Sequence, residues 1–249
     1  MNQSSESPIS VIAAEKMPKH IAIIMDGNAR WAQQHGKNVS YGHRHGAETL
    51  RNILKPCIEY GIHCLSVYAF SRENWSRPHD EVADLMLLLD MYLRKELKSL
   101  IKQDIKLHIS GDLSLVPKSI RAQLVRAMDA TRHSNRLIFN ICLSYGSRQE
   151  ITEACRRTMQ QCIEQGITPE SITDEMIAHN LYTSPLPELD LLIRTGGDMR
   201  LSNFLLWQAA YAELYFTDTL WPDFKAEHLE QACAAFAQRE RRYGKRRTI

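Results

Sequence analysis

Two segments of the chain combine arginine with glycine at a spacing that suits a phosphate group. Residues 26–31 place Arg30 after an Asp-Gly-Asn turn, and residues 194–203 place Arg194 and Arg200 on either side of a Gly-Gly pair. Small residues let backbone N–H groups turn toward an anion, and a guanidinium adds a charge-assisted fork to phosphate oxygens. The sequence therefore predicts two phosphate or diphosphate sites.

Two carboxylate residues are candidates for binding a divalent cation beside these phosphate sites. Asp26 opens the first segment, and a carboxylate beside a phosphate repels it unless a divalent cation lies between them. Glu213 precedes the apolar residues 214–216, where a core salt bridge and a metal ligand explain it equally well. A plain strand-ending turn also explains residues 26–28 when they are taken alone. Together the two sites and two carboxylates indicate a metal-assisted reaction between two phosphorylated substrates.

A third polar segment, residues 71–78, follows an apolar run and holds a tryptophan among hydrogen-bonding side chains. Such a composition favours a functional loop over a simple connection.

His43, beside Gly42 at the start of a predicted helix, either donates to a phosphate or serves as a surface or capping residue. A nucleotide-binding enzyme is disfavoured because the chain has neither a Walker A loop nor a G-x-G-x-x-G fingerprint.

The polar segments follow short apolar runs that are continuous rather than alternating, which is typical of strands buried on both faces. These runs are residues 20–25, 64–70, 105–109, 137–143, 189–193 and, more weakly, 214–216. Helical patterns alternate with them at residues 46–60, 80–102, 117–132, 148–165 and 225–241. The alternation predicts an α/β single domain with a mostly parallel six-stranded sheet flanked by helices. Because ligands bind outside the carboxyl ends of parallel strands, we expect the polar segments to meet there.

The composition is that of a globular protein and excludes several function classes. The chain has 249 residues, of which 44% are apolar and 24% charged, so disorder is excluded. A net charge of +2 gives no reason to expect a nucleic-acid partner. The apolar runs are too short to span a bilayer. Six cysteines without a C-x-x-C pair predict reduced thiols in the cytoplasm.

We expect a loose arm at residues 1–17, the domain at 18–244 and a basic tail at 245–249.

The predicted helix around residues 82–101 is apolar over more than one face. Burial between the sheet and a neighbouring element is the commoner explanation for such a pattern. The alternative is that one side packs on the sheet while the other lines an apolar channel. The candidate channel walls are Leu85, Leu88, Leu89 and Leu137.

The motifs and their order resemble the cis-prenyltransferases, most of all the bacterial members that make undecaprenyl diphosphate. The resemblance covers residues 18–244 and is carried by segments 20–31, 42–43, 68–78, 190–197, 202–208 and 212–216. It implies Mg2+-dependent condensation of isopentenyl diphosphate units onto farnesyl diphosphate with new cis double bonds. The implied product, undecaprenyl diphosphate, is the precursor of a lipid carrier for cell-wall sugars.

The resemblance also implies roles for individual residues. Asp26 and Glu213 would ligate Mg2+, and Asn74 would act in catalysis as the candidate proton acceptor. The allylic diphosphate would be held by Gly27, Asn28, Ala29, Arg30, Trp31, His43 and Arg77. The isopentenyl diphosphate would be held by Arg194, Arg200, Leu201 and Ser202. The loop residues Ser71, Arg72, Glu73 and Trp75 would complete the substrate site.

Family resemblance further implies a homodimer in which Arg242, Tyr243 and Gly244 approach the partner's site. The protein would be cytoplasmic, with peripheral attachment at the inner face of the plasma membrane where the product is delivered.

Val39 stands where the family has arginine, and Ala29 replaces a glycine, which implies a weaker allylic site. A non-catalytic prenyltransferase-like subunit is the alternative, and retention of the charged motif residues argues against it.

Overall fold

A computed structural model describes residues 13–239 and contains six strands that form one sheet. The strands are β1 His20–Ile24, β2 Cys64–Ser71, β3 Ile105–Ser110, β4 Leu137–Tyr145, β5 Leu191–Arg194 and β6 Glu213–Phe216. The helices are α1 Asn28–Gln34, α2 Val39–Glu59, α3 His79–Lys102, α4 Lys118–Ala130, α5 Ser147–Gln165, α6 Asp174–His179 and α7 Ala226–Ala237. A short 3-10 helix, Arg72–Ser76, follows β2.

The strand order is β3-β4-β2-β1-β5-β6, and every neighbouring pair is parallel. The predicted α/β single domain is confirmed, and the sheet is parallel throughout rather than mostly so. From β1 the chain builds β2 beside it, then β3 at the edge of the sheet and β4 between β2 and β3, and it then crosses to build β5 and β6 on the other side of β1. The order thus reverses between β1 and β5, and the crevice at such a point is where open α/β sheets bind ligands.

Apolar side chains cover both faces of the sheet, which explains the continuous apolar strands. The larger cluster combines one strand face with buried residues of α2, α3, α4 and α7. The smaller cluster covers the opposite face and includes Phe204 and Leu205 from the segment after β5. The two clusters hold the carboxyl ends of β1 and β5 in fixed positions.

The element bounds differ from the sequence prediction at several places. The second helix begins at Val39 rather than residue 46, because the Asn38 side chain caps it by accepting the Tyr41 N–H. The short helices α1 and α6 were not predicted. The last strand pair begins at Leu191 and Glu213, so Arg194 is the final residue of β5 rather than the first after it.

Parts of the predicted domain organisation lie outside the described residues. They are residues 1–12 of the predicted arm, the predicted Arg242–Gly244 contact and the basic tail at 245–249. Within the described part, Met17 already packs into the core. None of the helices between residues 13 and 239 has the length and apolar character needed to cross a bilayer.

A chain of buried hydrogen bonds crosses the sheet from β1 to β3. The imidazole of His20 contacts the Pro187 carbonyl through Nδ1 at 2.9 Å and the Ser66 hydroxyl through Nε2 at 2.8 Å. The Asn140 amide donates to Ser66 at 2.8 Å and accepts from Ser110 at 2.9 Å. Burial lowers the pKa of His20 to about 4, although the Pro187 carbonyl favours the protonated ring. The histidine is therefore neutral in the folded chain.

The free energy of unfolding is expected to fall as the pH drops from 6.5 to 4. In this window the unfolded chain binds a proton at His20 that the folded chain excludes, which removes up to about 3 kcal/mol. Urea unfolding at several pH values measures the slope. The His20→Gln variant, which keeps hydrogen-bonding groups but does not titrate, should show a shallower slope. His43 and His108 also have lowered pKa values and contribute to both proteins, so equal slopes would contradict this assignment.

Candidate active site

The carboxyl ends of β1 and β5 bring Asp26 and Arg194 into direct contact. Ile24 pairs with Arg194 in the sheet register, and Asp26 follows two residues later. Asp26 Oδ2 accepts from Arg194 Nη2 at 2.8 Å, and Asp26 Oδ1 accepts from Arg30 Nη2 at 3.3 Å. The Thr195 hydroxyl accepts from the Asp26 N–H at 2.9 Å and donates to its carbonyl at 2.7 Å. The two predicted phosphate sites therefore meet at one carboxylate.

Arg194 is held in a fixed orientation by several acceptors. Its side chain is only 4% exposed and donates to Ser202 Oγ at 2.7 Å and to Asp198 Oδ2 at 3.2 Å. Arg200, which is largely exposed, pairs with the same Asp198 oxygen at 2.6 Å. Asp198 thus joins the two arginines that flank the Gly-Gly pair.

The arginines control the ionisation of Asp26. Partial burial by itself raises the pKa of this carboxyl, but the hydrogen bond and charge of Arg194 lower it, and the charge of Arg30 adds to this. The net result is a pKa below the ordinary value, so the carboxylate is charged at neutral pH. A negative group surrounded by two guanidinium groups is suited to exchange these partners for a cation and an incoming anion.

The loop after β2 reaches toward the loop after β5. Asn74 Oδ1 accepts the Ser71 N–H at 2.9 Å, which leaves its NH2 group as the donor available to a ligand. The Asn203 amide donates to Glu73 Oε1 at 2.8 Å and joins the two loops. Burial raises the pKa of Glu73, but the Asn203 hydrogen bond and other donors lower it overall. The two loops therefore enclose one edge of the site.

A cavity of about 600 Å3 extends from the Asp26–Arg194 pair into the apolar layer beneath α3. Nine of the predicted site residues line it: Asp26, Asn28, His43, Ser71, Glu73, Asn74, Arg77, Arg194 and Ser202. Its apolar part is lined by Leu50, Ala69, Leu85, Met86, Leu88, Leu89, Tyr92, Ile141 and Leu143, among others. The apolar channel, which was the alternative to simple burial of this helix, is therefore present, with a polar mouth and an apolar interior.

Unpaired polar atoms concentrate in this cavity. Among residues 13–239, five buried side-chain polar atoms lack a hydrogen-bond partner. Four belong to cavity-lining residues: Asn28 Oδ1, His43 Nε2, Tyr92 Oη and Arg194 Nε. Burial and then the Arg77 charge lower the pKa of His43, so its ring is neutral. Buried polar groups are normally satisfied, so the unpaired atoms of Asn28, His43 and Arg194 at the polar mouth indicate a ligand that binds there.

Several predicted substrate-binding residues have other partners. Trp31 donates from Nε1 to Asp223 at 2.9 Å, and Arg72 pairs with Asp112 at 3.1 Å. Trp75 donates to Ser144 Oγ at 2.9 Å. These three side chains position the loops instead of lining the cavity. Gly27, Ala29, Arg30, Arg200, Leu201 and Glu213 also lie outside its lining, although Leu201 lines a smaller neighbouring pocket with Glu73 and Ser202.

One candidate channel wall is not confirmed. Leu85, Leu88 and Leu89 line the cavity, but Leu137 does not. It begins β4 and is completely buried in the core, at the end of the strand opposite to the site.

Glu213 is not brought to Asp26 within the chain. It begins β6 opposite Leu191, so it lies roughly 10 Å or more along the strands from the edge that carries Asp26. Its carboxylate pairs with Arg239 at 2.6 Å. Of the two explanations that the sequence left open for Glu213, a salt bridge or a metal ligand, the described residues therefore contain the salt bridge. No group of three or more potential metal ligands occurs within residues 13–239. Mg2+ nevertheless fits Asp26, because this ion is commonly held by one or two carboxylates together with substrate phosphates.

Sequence reasoning missed three residues that complete the site. Thr195 fixes both backbone polar groups of Asp26, Asn203 joins the two loops, and Tyr92 lines the inner part of the cavity. Thr195 and Asn203 lie within segments 190–197 and 202–208, where a signal for their roles was available. Tyr92 is one of many large residues on an apolar helix, and nothing in the pattern distinguishes it.

Comparison with known proteins agrees with this architecture. The family model described as "Putative undecaprenyl diphosphate synthase" matches residues 24–244. An isoprenyl transferase of Fusobacterium nucleatum is 46% identical over 92% of the chain and 97% of that relative. A protein of Photorhabdus laumondii, named ditrans,polycis-undecaprenyl-diphosphate synthase ((2E,6E)-farnesyl-diphosphate specific), is 44% identical over 92% of the chain and 90% of its own length.

Two crystal structures share the fold. Lavandulyl diphosphate synthase from Lavandula x intermedia, in complex with dimethylallyl diphosphate, has a TM-score of 0.88 and 34% identity, over 93% of this chain and 100% of that one. A protein described as "a probable undecaprenyl diphosphate synthase" from Campylobacter jejuni has a TM-score of 0.75 and 35% identity, over 92% of this chain and 99% of that one. Fold and site together are those of a prenyltransferase. The chain belongs to the undecaprenyl diphosphate synthase family of cis-prenyltransferases.

Proposed function

We propose that the protein condenses isopentenyl diphosphate units sequentially onto farnesyl diphosphate to give undecaprenyl diphosphate. The observation that carries this proposal is the junction of two arginine-containing loops at Asp26, above a cavity that is apolar inside. A diphosphate with a hydrocarbon tail has this same division into a charged end and an apolar end. Relatives named as farnesyl-specific undecaprenyl diphosphate synthases support the choice of substrates and product.

The two diphosphates are assigned to the two sides of Asp26. The allylic diphosphate binds on the Arg30 side, with Asn28, His43 and Arg77 beside it and its hydrocarbon tail in the cavity. The isopentenyl diphosphate binds on the Arg194 side, with Arg200 and Ser202. The unpaired Nε of Arg194 and Nε2 of His43 support this assignment, because each is available to a diphosphate oxygen.

In the reaction, the bond between the allylic carbon and its diphosphate oxygen breaks. The double bond of isopentenyl diphosphate then attacks that carbon, and loss of one proton creates the new double bond. Arg30 stabilises the departing diphosphate. Because the Asn74 oxygen already accepts the Ser71 N–H, we propose that its NH2 group positions a diphosphate and that the proton leaves to a diphosphate oxygen or water.

Mg2+ is the proposed cofactor, and Asp26 is the residue that would hold it. The ion would neutralise charge that develops on the leaving diphosphate. Asp26 must exchange at least one arginine partner to take up this role. Glu213 stays a predicted ligand, but a second copy of the chain would have to bring it to the site.

The remaining parts of the proposal concern assembly and location. A homodimer would place Arg242, Tyr243 and Gly244, which lie outside the described residues, near the partner's site. Product release to the inner face of the plasma membrane, and use of the product in cell-wall synthesis, are proposed from the family resemblance. Both depend on the product assignment and are tested after it.

The reaction is tested by incubating purified protein with farnesyl diphosphate, radiolabelled isopentenyl diphosphate and Mg2+, with EDTA as the control. We expect a Mg2+-dependent ladder of products that ends at undecaprenyl length, with cis double bonds in the added units. Shorter products would keep the chemistry and overturn the product assignment. A folded protein that incorporates no label would instead favour the second candidate, a non-catalytic subunit of a prenyltransferase.

Adding a methyl group at Gly196 tests the role of Arg30 in the allylic half of the site. A Cβ at Gly196 would lie 2.5 Å from Arg30 Nη2, and its φ of +84° adds backbone strain. We expect Gly196→Ala to raise the KM for farnesyl diphosphate about tenfold. The matched control is Gly61→Ala, which has a similar φ of +71° but open space around it and should leave KM unchanged. Equal KM values in both variants would contradict the role of Arg30.

A further inference from the structure

The outer side of α3 exposes apolar residues that belong neither to the core nor to the cavity. One side of this helix is buried in the larger core cluster, and a second side lines the cavity. Leu87, Met91 and Ile101 lie on neither side and are 58%, 53% and 47% exposed. Leu87 and Met91 are four residues apart, so they share one face of the helix. The apolar pattern of this segment thus exceeds what burial and the cavity require.

Basic side chains lie on the same outer face as Met91. Positions three, four, seven and eleven residues after Met91 fall on its side of the helix. The exposed residues at these positions are Arg94, Lys95, Lys98 and Lys102. Arg94 pairs with Asp90 at 2.9 Å, but the three lysines have no ion pair among residues 13–239. The second half of the outer face therefore combines unpaired positive charge with exposed apolar surface.

Acidic residues do not neutralise this half of α3. Within residues 91–102 the one acidic residue is Glu96, which is 4% exposed and pairs with Arg51 of α2 at 3.3 Å. The other acidic residues of the helix lie at or before position 90, and two of them, Glu81 and Asp90, pair with arginines. The positive charge is therefore local, in a chain whose net charge is only +2.

The adjacent helix α4 has a similar exposed composition. It packs beside α3, where Gln123 donates to Asp90. Its single acidic residue, Asp129, pairs with Arg132. Its exposed residues include one apolar and two basic side chains, which are Val125, Lys118 and Arg126. We call the exposed apolar and basic residues named on α3 and α4 the basic face.

We propose that the basic face is the surface by which the protein docks on a lipid bilayer that contains anionic lipids. Exposed apolar side chains enter the boundary between headgroups and acyl chains, while lysines on the same face contact the anionic headgroups. This inference rests on the proposed function for its biological use, because it names the surface for peripheral attachment. The basic face explains the exposed apolar residues of α3 and its unpaired lysines together.

The composition of the basic face favours a bilayer over an acidic protein. Protein interfaces have an apolar centre from which lysine is depleted, whereas here lysines alternate with the apolar residues along the helix. The position of the face also suits a lipid product. Leu87 lies on the outer face and its neighbour Leu88 lines the cavity. A helix with its side chains is about 10–12 Å across, so roughly one helix diameter separates the cavity from the bilayer.

Cosedimentation with vesicles tests the proposed surface. One set of vesicles contains phosphatidylcholine alone, and the other also contains about 30% phosphatidylglycerol, which is anionic. We expect the unmodified protein to bind the anionic vesicles at least about tenfold more tightly, and to lose this preference in about 1 M salt. Lys95→Gln with Lys98→Gln should weaken binding at least about tenfold. Leu87→Gln with Met91→Gln should do the same, and glutamine keeps the helix propensity high.

Arg156→Gln with Arg157→Gln is the matched control, because it removes two positive charges from α5, where both arginines pair with Glu153. This variant should bind as the unmodified protein does. Equal binding to both kinds of vesicle, or an equal loss in the control and the lysine variant, would overturn the inference. No binding to either kind would also overturn it and would leave an acidic protein as the partner of the face.

The same variants separate this inference from the proposed function. None of the substituted α3 residues lines the cavity, so without vesicles their rates of isopentenyl incorporation should equal that of the unmodified protein. A loss of incorporation together with vesicle binding would indicate a damaged fold and would contradict a role confined to docking. If the unmodified protein binds anionic vesicles but incorporates no label, the proposed function fails and the docking surface stands.

Discussion

Asp26→Asn is expected to reduce kcat at least about 1,000-fold while leaving the fold intact. The carboxylate is partly exposed, with 29% of the side chain accessible, and asparagine has the same shape, so packing is preserved. The substitution removes the negative charge of the Asp26 carboxylate, whose pKa is lowered by Arg194 and Arg30. This charge is what would hold Mg2+ against a diphosphate. Steady-state rates of isopentenyl incorporation at saturating substrate measure the effect.

Asp198→Asn is the matched control for this prediction. Asp198 also pairs with Arg194, and its side chain is 34% exposed, so the substitution removes a similar charge from the same arginine. Asp26 pairs with Arg30 as well as Arg194, whereas Asp198 pairs with Arg194 and Arg200. We therefore expect Asp198→Asn to reduce kcat less than about tenfold. Near-normal turnover of Asp26→Asn, or equal losses in both variants, would contradict a metal-binding role for Asp26.

Arg194→Lys is expected to raise the KM for isopentenyl diphosphate about 100-fold and the KM for farnesyl diphosphate much less. A lysine cannot reproduce the guanidinium fork that contacts Asp26, Asp198 and Ser202 at once, and a buried charge that loses its partners costs several kcal/mol. We therefore also expect a lower unfolding temperature. The two KM values are measured by varying one substrate while the other is saturating.

Arg30→Lys provides the reciprocal measurement. Arg30 contacts the other Asp26 oxygen and is about half exposed, so its replacement should affect stability little. In this variant we expect the larger KM increase for farnesyl diphosphate. If both variants raise the two KM values equally, the division of the site into an allylic and an isopentenyl half is wrong.

The sheet was predictable because its strands are buried on both faces. Such strands read as continuous apolar runs, and the runs from β1 to β4 gave nearly the observed bounds. The beginning of α2 was not predictable, because Gly42 and Gly46 disfavour a helix by propensity. A Cβ at Gly42 would lie 2.2 Å from the Asn28 carbonyl oxygen, so the close contact between α1 and α2 requires glycine there. Tertiary packing overrides local preference at this position.

The centre of the site was predictable for a different reason. Asp26 and Arg194 each lie at the carboxyl end of a buried strand, and parallel strands bring those ends together. The partners of Trp31 and Arg72 were not predictable, because Asp223 and Asp112 lie on remote elements. A loop pattern indicates that a side chain is polar or large, but the fold decides whether it contacts the ligand or another loop.

A crystal structure of the chain with farnesyl thiodiphosphate, isopentenyl diphosphate and Mg2+ would test the central claim most directly. The sulfur analogue reacts slowly and so keeps both substrates in place. We expect the allylic diphosphate on the Arg30 side, the isopentenyl diphosphate on the Arg194 side, and an Asp26 oxygen on the metal ion between them. Diphosphates bound away from Asp26, or a metal ion held without it, would contradict the account.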